Sequence, residues 1–119
     1  MTDSDTKILR RADIFQSGIL AGYLQEEQDG GWFFEYVDGY EEIPISLTLP
    51  VRKEPYTFKV FPAVFDGLLP EGEQLEALLK KHKIDRNDCF KQLVTVGQDL
   101  VGSLSVRLSK GSLPNIEEA

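Results

Sequence analysis

Short apolar-rich runs separated by turn-forming residues fill the first half of the chain, the pattern of strands rather than helices. "KILRRADIF" predicts a strand over 7–15. Gln16-Ser17-Gly18 supplies a turn, and "ILAGYLQEE" predicts the returning strand over 18–26. Gly22 inside that run points to a bulge or a close backbone approach. After Asp29-Gly30-Gly31, the aromatic run "WFFEYV" predicts a strand over 31–37. Asp38-Gly39 turns again. "PISLTLP" sets Ile45, Leu47 and Leu49 against Ser46 and Thr48, and a period of two predicts a strand over 44–50 with those apolar side chains on one face. Its bracketing prolines suit a sheet edge.

The second half changes period. A short helix is predicted over 61–69, with Pro62 in its first turn. Another is predicted over 71–82, opened by the acids of Pro70-Glu71-Gly72-Glu73 and closed by Lys80, Lys81 and Lys83, the signs that suit the two ends of a helix dipole. Leu75, Leu78 and Leu79 form its apolar stripe. Phe90, Leu93 and Val94 repeat the spacing in a helix over 86–96, with Asp85 as its cap and Gly97 as its stop. "GSLSVRLS" alternates again and predicts a last strand over 102–109. These elements make an α+β fold, a small antiparallel sheet with helices, in a single domain over 1–119 with frayed termini near 1–6 and 111–119.

Charge narrows the partners. At 119 residues and a formal net charge of −7, the chain lacks the concentrated basic face that a nucleic-acid backbone or an anionic membrane requires. A basic protein partner suits it better. Cys89 is the only cysteine and cannot close an intrachain disulfide. No apolar run reaches the ~18 residues of a membrane span. The acidic start is unlike a secretory signal, so the cytoplasm is the expected location.

Catalytic chemistry is hard to find. His82, the lone histidine, sits among lysines at a helix end, where a surface or capping role is expected. Cys89 has no neighbouring base in sequence and reads as a small half-buried side chain. No histidine and cysteine cluster can build a zinc site. "DGGW" leads into a strand and "VGQDLVG" follows a helix, so neither is a phosphate loop. The unusual feature is apolar crowding: Phe58, Val60, Phe61, Val64, Phe65, Leu68 and Leu69 fall within one short stretch. A small helix buries one face, so part of this set can remain as a partner surface, or the sheet can cover all of it.

"PISLTLP", "FPAVFDGLLPEG" and "LVTVGQDLVGSLSV", in that order, resemble the N-terminal subdomain of HipA-type serine/threonine kinases. Gly18, Leu20, Gly22 and Leu24 match its opening hairpin, Ser46–Pro50 its S-L-S/T-L-P segment, Phe65–Gly72 its F-x-x-L-L-P-E-G segment, and Leu93, Gly97, Asp99 and Gly102 its closing motif. The resemblance runs over nearly the whole chain. The kinase body's ATP loop, nucleotide-binding lysine, catalytic aspartate and metal-binding residues have no counterpart in these residues, so no enzyme, cofactor or metal is expected. A copy without that body is similar to the HipS-type antitoxins of three-component HipBST systems. The resemblance implies binding and neutralisation of a HipT-like serine/threonine kinase, with a HipB-like helix-turn-helix protein reached through the complex and no direct contact with DNA. It leaves open a non-inhibitory subunit that completes the kinase fold, or an inactive remnant. Phe61, Pro62, Phe65, Leu68, Leu69, Pro70 and Glu71 are the expected partner-binding residues, Glu71 facing a kinase cation.

Overall fold

The computed structural model describes residues 8–100 and 102–110. The termini expected to fray, near 1–6 and 111–119, lie outside the described residues. Eight elements follow in chain order: β1 (Ile8–Gln16), β2 (Ile19–Glu27), β3 (Trp32–Tyr36), β4 (Tyr56–Phe58), α1 (Ala63–Asp66), α2 (Gly72–His82), α3 (Cys89–Val96) and β5 (Leu104–Leu108). The strands form one antiparallel five-stranded sheet in the order β4-β3-β2-β1-β5. The fold is α+β, as the alternating first half and helical second half predict.

Local chemistry explains the opening meander. Ser17 and Gly18 both take positive φ (51° and 83°), the geometry of a tight two-residue hairpin that matches strand twist. The β1–β2 register slips between Ile14 and Phe15, opposite Gly22 and Leu20, so the expected irregularity around Gly22 is there. A Cβ at Gly22 would lie 2.3 Å from the Glu35 carbonyl oxygen, which leaves room only for glycine.

One sheet face carries the core. Ala12 pairs with Leu24, Leu24 with Phe34, and Ile14 with Val106, all almost fully buried. Burying each of these side chains larger than Ala12 contributes roughly 1.5–3 kcal/mol. Phe65 of α1 packs on Phe34 at 5.9 Å between ring centroids, and Phe90 and Leu93 of α3 join the same cluster. Along the other face, Arg11 lies 4.6 Å over the Tyr23 ring and Arg107 lies 4.9 Å over that of Phe15.

Several expected elements are corrected. Residues 44–50 are not a strand but a turn: the Leu49 amide donates to the Ser46 carbonyl (3.0 Å), and the Ser46 hydroxyl accepts from the Thr48 amide (3.2 Å). Serine and threonine side chains compete for backbone groups in this way and divert an alternating sequence from a ladder. The fourth strand lies instead at Tyr56–Phe58, a three-residue edge strand on β3. The helix expected over 61–69 shrinks to four residues, with Pro62 at its N-cap rather than inside its first turn. The last helix starts at Cys89, and its cap is Asp88, whose carboxylate accepts from the Lys91 amide (3.1 Å). Asp85 accepts from the Asn87 amide (2.7 Å) in the turn before it. α2 keeps its expected span, and Lys83 closes it in the left-handed conformation (φ 55°). No helix among the described residues is long and apolar enough to cross a membrane.

Candidate functional site

The segment after β4 divides by depth. Phe65 is fully buried and Pro62 is buried, so both belong to the interior. Phe61, Leu68, Leu69 and Pro70 are half-buried, and Glu71 is exposed at the start of α2. The difference follows from what lies opposite. Phe65 faces Phe34 in mid-sheet, whereas Phe61 stands edge-on to Trp32 at the end of β3, with ring centroids 5.0 Å apart at 88°.

Trp32 in turn stacks on Phe90 (5.9 Å, 25°), and the Arg10 guanidinium lies 4.7 Å above the Phe90 ring. Arg10 donates to both Glu26 oxygens (2.6 and 3.0 Å) and to both Asp88 oxygens (3.0 and 3.2 Å). Burial works against its charge, but the hydrogen bonds and fields of Glu26 and Asp88 outweigh it and hold its pKa above the usual arginine range. Together these groups frame an open groove of about 440 Å³ that runs from Phe61 past Trp32 to Cys89. Phe61 is the one expected partner residue that lines it. Arg10, Trp32 and Phe90 come from three distant stretches, and nothing in their local spacing brings them together.

Burial raises the pKa of the Cys89 thiol, and the charges of Asp66 and Asp88 raise it further, so at neutral pH it is a thiol and a weak nucleophile. Cys89 is expected to react with iodoacetamide more slowly than glutathione at pH 7.5 and to speed up as pH climbs above 9. A rate equal to that of glutathione at pH 7.5 would refute this placement. Among the described residues, no group of His, Cys, Asp and Glu side chains could hold a metal ion.

A second surface lies at the other end of β3, in the loop that joins it to β4. Ile45 and Leu49 are buried (7% and 3% exposed), whereas Leu47 between them is 96% exposed. The alternation is real, but a turn puts its middle residue outside. Ile43 (70%) and Val51 (38%) are exposed on either side. Period-two reasoning missed this surface because it assumed an extended chain; the clue was the Ser46 and Thr48 pair beside the prolines.

The sequence profile of the HipA N-terminal domain matches residues 12–107. A Haemophilus influenzae protein of unassigned function is 28% identical over 103 residues, spanning 87% of this chain and 96% of its own length. A candidate kinase of Sinorhizobium fredii, Y4mE, is 26% identical over 102 residues, which span 82% of this chain but 24% of the kinase. A solved structure of the N-terminal domain of the HipA toxin superposes with a TM-score of 0.69 at 27% identity, over 92% of this chain and 98% of that one.

Proposed function

The chain belongs to the HipA N-terminal domain family, and we propose that it is a protein-binding antitoxin that docks on a HipT-like serine/threonine kinase and neutralises it. The matched residues are the N-terminal domain and not a kinase domain, so the proposed role is binding, without catalysis.

One observation carries the reading. The same domain makes up 96% of the Haemophilus influenzae relative and 24% of the Sinorhizobium fredii candidate kinase. A domain that accompanies a kinase body in one chain has a surface suited to that body, and as a separate chain it can offer the same surface between molecules. The half-buried Phe61 beside Trp32 is the proposed anchor, because large aromatics at a groove contribute most to interfaces. Leu68, Leu69, Pro70 and Glu71 extend the contact. Pro62 and Phe65 act by holding this surface in shape. The chain's net charge of −7 favours a partner with a basic face and speeds their encounter.

The test is to titrate this protein into a purified HipT-like kinase that lacks its own N-terminal subdomain, with autophosphorylation and binding read together. Binding with loss of activity is the expected result, and Phe61→Ala is expected to weaken binding about 30-fold, the roughly 2 kcal/mol of an interface hot spot. Binding with unchanged or raised activity would instead identify a subunit that completes the kinase and tethers it to a HipB-like protein. No binding would overturn the proposal.

A further inference from the structure

The loop between β3 and β4 is built as a protrusion. Its backbone carbonyls are held on both sides of Leu47. The Tyr40 hydroxyl donates to the Ile43 carbonyl (2.5 Å), and the Gln16 amide group donates to the Pro44 carbonyl (3.3 Å). The Tyr36 hydroxyl accepts from the Ile45 amide (3.0 Å) and donates to the Leu49 carbonyl, and the Tyr56 hydroxyl donates to the Pro50 carbonyl (2.6 Å). Three tyrosines, two of them almost fully buried, thus brace a turn whose apex is a 96%-exposed leucine. An isolated exposed leucine calls for no explanation. One held in place by such bracing, with Ile43 and Val51 exposed in the same loop, is a preordered apolar knob that loses little entropy on docking.

We propose that this loop is a second docking point on the kinase, with Leu47 entering an apolar pocket whose rim carries lysine or arginine opposite Glu41 and Glu42. The proposal rests on the antitoxin reading and adds a contact separate from Phe61. Charge selects the occupant. Glu41 and Glu42 are exposed beside Ile43, and the chain carries a net −7. Arg52 and Lys53 are exposed beyond Val51 in the same loop, so the acid lies on the Ile43 side; the net −7 opposes a second copy as a whole, whereas a basic rim is complementary to Glu41 and Glu42. The position also fits a single partner. Phe61 contacts Trp32 at one end of β3 and the loop leaves from its other end. The strand between the two surfaces is five residues long and spans about 15 Å.

The experiment compares the binding of wild type, Leu47→Asp and Leu47→Met to the same HipT-like kinase by calorimetry, with thermal melting and sedimentation of each protein alone. Leu47→Asp is expected to raise Kd at least about 10-fold, while Leu47→Met stays within about 3-fold of wild type. Because Leu47 touches little of its own fold, both are expected to melt within about 2 °C of wild type. Equal binding by wild type and Leu47→Asp overturns this inference and leaves the antitoxin reading standing. A wild-type dimer that Leu47→Asp dissociates also overturns it, since the occupant is then a second copy. If wild type does not bind the kinase, the antitoxin reading and this inference fall together.

Discussion

Phe65→Ala is expected to cost about 3–5 kcal/mol of stability, the range for a fully buried aromatic truncated to a methyl group. A domain of this size has roughly 5–15 kcal/mol in total, so the variant should lose a large share of its stability. The cost has identifiable sources. Phe65 is 0% exposed, packs on Phe34 and sits in the cluster that joins the sheet to α3. α1 has only four residues and is held by packing of this side chain rather than by its own backbone bonds, so truncation also loosens the helix. Urea unfolding followed by far-UV circular dichroism should show a lower midpoint at an unchanged slope. Phe61→Ala provides the contrast. Its ring lies half-buried at a groove, so the stability loss should be near 1 kcal/mol while the loss in kinase binding dominates. If Phe65→Ala kept its urea midpoint and lost only binding, Phe65 would belong to the interface and the core described here would be wrong.

Gly97→Ala is expected to destabilise by about 3 kcal/mol, through overpacking and the loss of a buried hydrogen bond. Gly97 closes α3 with ordinary right-handed geometry (φ −56°), so the constraint is space rather than conformation. A Cβ there would lie 1.9 Å from the Val106 carbonyl oxygen and 2.7 Å from its carbon. The Val106 amide also donates to the Gly97 carbonyl (3.0 Å). Helix and strand therefore touch backbone to backbone, and a methyl group forces them apart at the point where β5 holds to the fold. Gly67→Ala is the matched control. It too has right-handed geometry (φ −67°), and its nearest contact would be the Ala63 carbonyl at 3.4 Å. It should change stability by less than about 0.5 kcal/mol in either direction. Equal effects from the two substitutions would defeat the close-approach account.

Much of the frame was legible because its signals are local. The β1–β2 hairpin follows from Ser17-Gly18, α2 from the acids, leucines and lysines within its own span, and β5 from a strict alternation. α3 was legible as an element, but its start was placed too early, since Asp85 and Asp88 are equally good caps until the chain's path selects one. The site was legible only as a segment. Phe61 and Phe65 look alike in sequence and differ in the fold because one meets Trp32 at the end of a strand and the other meets Phe34 in its middle.

By itself the sequence determined the class of the fold, the strand and helix periods, the family and the net negative charge. Each of these depends on residue types and on spacings within a few positions. Tertiary structure alone decided depth: which phenylalanine is core, that Arg10, Trp32 and Phe90 share one groove, and that Leu47 stands outside while Ile45 and Leu49 turn in. Exposure is a property of what lies opposite a side chain, and for these residues the opposite wall comes from elsewhere in the chain. The tyrosines that brace the turn show this directly, for Tyr36 and Tyr56 reach the 45–50 backbone from strands on either side of the loop.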